Sequence, residues 1–180
     1  VNALAIIEEE GFIVSSGSDN LINVTGISSD FINEQDPKYC LVGHEGNVCS
    51  LDTFEDLIIS GSWDGTAKVW NLQGKVLFDL KGHENSVWSV KFITRDSFLT
   101  CGADGTLRKW KGNQLIKKVK AHEDVVRDLI ILPNGDVATC SNDTTIKIWD
   151  FETFSLKMTM IGHQNFIYSL ALAPNGDIIS

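Results

Sequence analysis

Every histidine of the chain stands in one recurring pair: Gly43-His44, Gly82-His83, Ala121-His122 and Gly162-His163, spaced by 39, 39 and 41 residues. An aspartate follows each of the first three after 20 or 21 residues: Asp64, Asp104 and Asp143. A hydroxyl lies four residues before each aspartate (Ser60, Thr100, Thr139) and a tryptophan six residues beyond it (Trp70, Trp110, Trp149). Imidazole, hydroxyl and carboxylate can make a nucleophile, and histidines can gather a metal. The constant offset argues against the metal, because it puts one imidazole in each repeat and keeps the imidazoles apart. The cysteines, Cys40, Cys49, Cys101 and Cys140, form no CxxC pair. They read as reduced thiols. No phosphate loop or paired-carboxylate motif is present, and no cofactor is expected.

The segments between these marks read as short strands. Residues 47–51, 86–90, 66–70 and 145–149 alternate in polarity, and 57–61 is a buried run. Asp64-Gly65 and Asp104-Gly105 are tight-turn signals, and Asn134-Gly135, Asn175-Gly176, Asn71 to Gly74 and Lys111 to Asn113 mark further hairpins. That gives four antiparallel strands per ~40 residues, an all-β chain built of propeller blades. Composition agrees: 43% hydrophobic and 22% charged residues suit a globular domain. The net charge of −9 argues against nucleic acid as a partner. No apolar run is long enough to span a membrane, and the first residues show no signal-peptide pattern. A cytoplasmic and nuclear location is expected.

A Gly-His pair, a turn aspartate and a closing tryptophan, with Trp149-Asp150 as a literal Trp-Asp dipeptide, resemble the WD-repeat family. The resemblance implies a hydrogen-bonded tetrad inside each blade: His44/Ser60/Asp64/Trp70, His83/Thr100/Asp104/Trp110 and His122/Thr139/Asp143/Trp149. Such a tetrad would tie the loop that begins a blade to its second and third strands. It also claims the hydroxyls as scaffold, so no catalytic residue is assigned. Residues 1–41 read as an incomplete blade, with Ser15 and Asp19 but Thr25 where a tryptophan belongs. Complete blades follow at 42–80, 81–120 and 121–160, with half a blade at 161–180. Ala121 in place of glycine suggests a differently turned loop, and Gly26 to Lys38 a long mobile connection. Family propellers close with about seven blades, roughly 280–300 residues. A partial propeller of about four blades is therefore expected, either a piece of a longer protein or a ring closed with further copies.

The Gly-His loops and aspartate turns share one end of the blades, the top. Asn47, Cys49, Ser86, Trp88, Val125, Arg127, Phe166 and Tyr168 should line it, with Ser18, Trp63, Ala103 and Asn142 from the turns. Trp63 and Trp88 are the two tryptophans outside the repeat scaffold. They join Phe166, Tyr168 and Arg127 on this face, and Trp, Tyr and Arg are the residue types that dominate binding hot spots. Two readings stay open: packing at the channel mouth, or a partner surface. Lys117, Lys118 and Lys120 read as a solvated edge that discourages sheet pairing.

Gly46 to Leu51, Ser60 to Asp64, Thr66 to Trp70, Ser86 to Trp88, Asp124 to Arg127, Cys140 to Asp143 and Phe166 to Tyr168 resemble, in order, the phospholipase-A-two-activating-protein (ubiquitin-fusion-degradation, Doa-type) family. That resemblance implies a non-catalytic propeller whose top face holds ubiquitin, or a ubiquitinated protein, in ubiquitin-dependent degradation. An AAA-ATPase segregase would be recruited by separate downstream domains. The top-face residues carried over are Trp63, Trp88, Arg127, Phe166 and Tyr168, with Asn142 and Cys49 beside them. The alternative is a generic scaffold for another protein complex.

Overall fold

A computed structural model describes residues 1–27 and 37–180, so most of the connection expected to be mobile lies outside the described residues. The described residues form strands and turns, with no helix among them. The first sheet comprises β1 (Ala3–Ile7), β2 (Phe12–Ser16), β3 (Ile22–Gly26) and β4 (Tyr39–Leu41). The second comprises β5 (Val48–Phe54), β6 (Leu57–Ser62), β7 (Thr66–Asn71) and β8 (Val76–Lys81). The third comprises β9 (Val87–Thr94), β10 (Ser97–Gly102), β11 (Thr106–Lys111) and β12 (Gln114–Lys120). The fourth comprises β13 (Val126–Ile131), β14 (Val137–Ser141), β15 (Thr145–Trp149) and β16 (Leu156–Ile161). A hairpin of β17 (Ala171–Leu172) and β18 (Ile178–Ile179) follows. Sequence neighbours within each sheet pair antiparallel, so every sheet is a meander.

The core lies between the sheets. Ile7, Val14, Ile22 and Val24 of the first sheet pack on Val48, Ile58 and Trp70 of the second. Ile59, Val69 and Leu80 pack on Val90, Phe98 and Trp110 of the third. Leu99, Cys101 and Leu107 meet Val126, Leu129 and Trp149, and Cys140, Ile146 and Ile148 meet Ile167 and Leu170. A second strand is covered on both faces, which is why β6 and β14 are buried at every position. The outer strand β12 is mostly exposed. Its lysines are tethered: Lys117 Nζ donates to the Glu152 carbonyl at 2.8 Å, and Lys118 lies 3.6 Å from Glu84.

Polar side chains stitch neighbouring sheets at their inner strands. Ser50 Oγ accepts the Val90 N–H at 3.1 Å, and Asp52 Oδ2 accepts the Phe92 N–H at 2.8 Å. Asp128 takes the Ser89 hydroxyl at 2.9 Å and the Leu170 N–H at 2.9 Å, linking three successive sheets. Gly102 is dictated by one such approach, because a Cβ there would lie 2.2 Å from the Ser86 carbonyl oxygen.

Candidate functional site

Two constellations occupy the top end of the sheets, one inside them and one on their surface. Inside, His44 Nδ1 lies 2.7 Å from Asp64 Oδ2 and its Nε2 lies 2.7 Å from Ser60 Oγ, which accepts the Trp70 indole N–H at 2.8 Å. In the third sheet His83 meets Asp104 at 2.9 Å and Thr100 at 2.7 Å, with the Trp110 N–H on Thr100 at 2.9 Å. In the fourth, His122 meets Asp143 and Thr139 at 2.8 Å each, with the Trp149 N–H on Thr139 at 2.9 Å. An imidazole that donates from Nδ1 to the carboxylate leaves Nε2 to accept the hydroxyl proton, and the hydroxyl oxygen then accepts the indole.

Burial pushes the His83 and His122 imidazoles below their ordinary range, against the pull of Asp104 and Asp143. Burial also works to raise the Asp64 and Asp104 carboxyls. The bonds from His44 and Thr66, and from His83 and Thr106, outweigh it and hold both below the usual carboxylate range. Each hydroxyl is bonded on both sides and buried, so the arrangement is a clamp rather than a nucleophile.

Sequence reasoning missed a fifth member. Thr66, Thr106 and Thr145 each donate a hydroxyl to the tetrad aspartate, at 2.7, 2.8 and 2.7 Å. The signal was available, since a threonine stands two residues after each of these aspartates. Arg108 was missed as well: fully buried, it donates from Nη2 to Asp104 Oδ2 at 2.8 Å and from Nε to Thr106 at 3.0 Å. Among the described residues of the first sheet there is no such clamp, and Asp19 accepts the Leu21 N–H at 3.2 Å in a local turn.

On the surface, five of the expected face residues join into one row. Trp63 and Trp88 have ring centroids 5.8 Å apart. The Arg127 guanidinium carbon lies 4.4 Å from the Trp88 ring centroid and 5.3 Å from that of Tyr168, and Phe166 meets Tyr168 edge-on at 6.4 Å. Different elements supply them: the turn between β6 and β7, strand β9, strand β13, and the loop before β17. Backbone bonds fix the turns, with Trp63 N–H on the Asn47 carbonyl at 2.9 Å and Asn142 N–H on that of Val125 at 3.0 Å. Trp63 is 50% exposed and Tyr168 66%, so the rings touch one another and still face solvent. Beside the row, Trp88, Arg127 and Tyr168 line a groove of about 440 Å³ that runs along the inner strands past Cys49, Ser89 and Asp128.

Two face residues have duties the sequence did not reveal. Asn142 Oδ1 accepts the Arg127 Nε–H at 2.8 Å and so aims the guanidinium. Cys49 lines the groove, but its Sγ turns to the Val87 carbonyl at 3.0 Å, and burial pushes its thiol up to about 12. It contributes a wall, not a reactive group.

Meandering four-stranded sheets stacked face to face, three of them sealed by a His–Ser/Thr–Asp–Trp clamp, define a WD-repeat β-propeller. The model of the WD domain, G-beta repeat, matches residues 35–71, 74–111 and 113–150, more than half of the chain, and the chain belongs to that family. It is similar to Protein DOA1 of Saccharomyces cerevisiae, 40% identical over 94 residues, 52% of this chain and 13% of that protein. It is similar to the Phospholipase A-2-activating protein of Xenopus laevis, 40% identical over 84 residues, 46% of this chain and 10% of that protein. The Ribosome biogenesis protein YTM1 of Eremothecium gossypii is 43% identical over 68 residues, 38% of this chain and 15% of that protein. Each match therefore takes up a small part of the relative's length. Among solved structures, the WD40 β-propeller domain of Doa1 superposes with a TM-score of 0.89 at 39% identity, covering 97% of this chain and 59% of that one.

Proposed function

We propose that this chain is a non-catalytic ubiquitin-binding surface acting in ubiquitin-dependent protein degradation. The observation that carries the reading is the row of Trp63, Trp88, Arg127, Tyr168 and Phe166, partly exposed and mutually supported across successive sheets. Ubiquitin offers an apolar patch rimmed by basic side chains, and an aromatic strip on a chain of net charge −9 complements it. Similarity to Protein DOA1 and to the Phospholipase A-2-activating protein supports the same reading. A small interface is expected, and with it a weak affinity. Recruitment of an AAA-ATPase segregase would fall to segments other than these 180 residues. Four free thiols suit a reducing cytoplasmic and nuclear setting.

Titrating the full chain into isotope-labelled ubiquitin tests the proposal. Trp88→Ala and Tyr168→Ala should each weaken binding about tenfold or more while the melting midpoint stays nearly constant. Undiminished binding in both variants rejects the assignment. The similarity to a ribosome biogenesis protein favours a second reading, a generic scaffold on the same face. Capture of an unrelated partner, with no ubiquitin shifts, would support it.

A further inference from the structure

Among the described residues, no carboxylate lies within ion-pairing distance of Arg127, in an acidic chain. Among the described residues, several other cations have carboxylates, Lys68 with Asp79, Lys91 with Asp52, Arg95 with Asp56, Arg108 with Asp104 and Lys157 with Asp136, while Lys147 bonds the Ala121 carbonyl. Arg127 has the amide oxygen of Asn142 and the rings of Trp88 and Tyr168 instead. The adjacent Asp128 is engaged elsewhere, taking the hydroxyls of Ser89 and Ser169 and the N–H groups of Leu129 and Leu170. A guanidinium has five N–H donors in a rigid fork, and Asn142 takes the one on Nε. Every buried side-chain nitrogen and oxygen of the described residues has a partner, so the terminal Nη groups are not fully buried, and Arg127 lines the groove.

We infer that Arg127 is a carboxylate receptor, which takes the side chain of a glutamate or aspartate set within the apolar patch of a docked protein. The inference rests on the partner-binding reading of this face. A ring-flanked, aimed guanidinium is pre-organised for bidentate recognition of a carboxylate. Its surroundings restrict the partner. Glu45, Glu123 and Asp124 are exposed on the loops around the face, and they repel a partner that is acidic throughout. Aromatic surface continues on both sides of the guanidinium, Trp88 and Trp63 on one and Tyr168 and Phe166 on the other. An acid that keeps both sides covered sits inside an apolar patch and is not the end of a tail.

Two measurements on the full chain test this. In the first, ubiquitin labelled with carbon-13 is titrated with the unaltered chain, Arg127→Gln and Arg127→Lys. One side-chain carboxyl signal should move with the unaltered chain and stay still with Arg127→Gln. Affinity should fall about ten- to a hundredfold in Arg127→Gln and less in Arg127→Lys. Ubiquitin methyl shifts without any carboxyl shift, or equal affinity in all three proteins, would overturn the receptor and leave ubiquitin binding standing. In the second, short blocked peptides meet the unaltered chain labelled at arginine: acetyl-Leu-Glu-Leu-amide, its Gln counterpart, and acetyl-Leu-Leu-Leu with a free carboxyl end. The Arg127 side-chain signals should move with the Glu peptide alone. If ubiquitin fails to bind and the Glu peptide succeeds, the ubiquitin assignment falls and the receptor stands. Equal shifts from the Gln peptide or from the free carboxyl end would overturn it, as would no shift from any peptide.

Discussion

Within the sheets, one set of atoms meets three times at nearly the same distances: His to Asp at 2.7, 2.9 and 2.8 Å, and Trp to hydroxyl at 2.8, 2.9 and 2.9 Å. On the top face, the position five residues after each histidine carries Cys49, Trp88, Arg127 and Tyr168, a different residue every time. The two regions are a few residues apart along the same strands and answer to different demands. A buried carboxylate and imidazole must satisfy every donor and acceptor, and few residue sets do so in a given backbone, so the interior repeats. The surface is relieved of that demand, and its residues are free to differ from one repeat to the next. Repetition marks what holds the sheets, and variation at an equivalent position marks where the proposed partner surface lies.

The comparison breaks most sharply at Asp104, because the clamps are not energetically alike. Asp64 serves His44 and Thr66. Asp104 serves His83, Thr106 and the buried guanidinium of Arg108, with side chains 5% and 1% exposed. Removing it leaves a desolvated cation, so Asp104→Ala should cost about 3–5 kcal/mol against about 1–3 kcal/mol for Asp64→Ala. Urea unfolding of the two variants compares them. Equal losses would show that Arg108 finds water or another acceptor.

A smaller effect separates the interior by pH. The folded His83 and His122 bind protons less readily than the unfolded chain, since burial depresses both. Their contribution is therefore complete above the unfolded value of about 6.5 and is lost as pH falls below it, by at most about 1.4 kcal/mol per pH unit for each imidazole. Asp64 and Asp104 are also depressed, so they act in the same direction in a lower window, below about pH 4. Between pH 7.5 and 5.5 the urea midpoint should drop, and an unchanged midpoint would show that these imidazoles are not held neutral.

The sheets and the clamps were legible because spacing alone encodes them: a residue type recurring at a fixed offset must recur at one place in a repeated backbone. The row on the face was legible as a set of positions, read from the direction of the strands. Its order was not, because the stacking of Arg127 on Trp88 depends on how far side chains reach between sheets, and that distance leaves no period. For the same reason Asn142 read as a contact residue when it is also the acceptor that aims Arg127. Asp128 gave no signal, since serines hold the equivalent positions Ser50, Ser89 and Ser169. The buried pairing of Arg108 was hidden because Lys68 and Lys147, which occupy the same place, bond elsewhere, to Asp79 and to the Ala121 carbonyl.

The smallest effect concerns a place where the repetition lapses inside the scaffold. The residue after each clamp aspartate has positive φ: 80° at Gly65, 72° at Gly105 and 70° at Thr144. All three N–H groups close the same turn, onto Ser62, Gly102 and Ser141. A β-branched residue in this region is strained, by about 1–2 kcal/mol relative to its preferred conformations. Thr144→Gly relieves that strain and returns about 0.5–1 kcal/mol of it through the greater freedom of glycine in the unfolded chain. The net expectation is a gain of about 0.5–1 kcal/mol, read as a higher urea midpoint with an unchanged slope. The reverse exchange has the opposite sign for a second reason, because a Cβ at Gly105 would lie 2.7 Å from the His122 carbonyl oxygen. Gly105→Thr should therefore destabilise through both the backbone and the clash. If Thr144→Gly lowered the midpoint instead, the threonine side chain would be contributing more than its backbone strain removes, and the turn would belong with the variable surface rather than with the repeated interior.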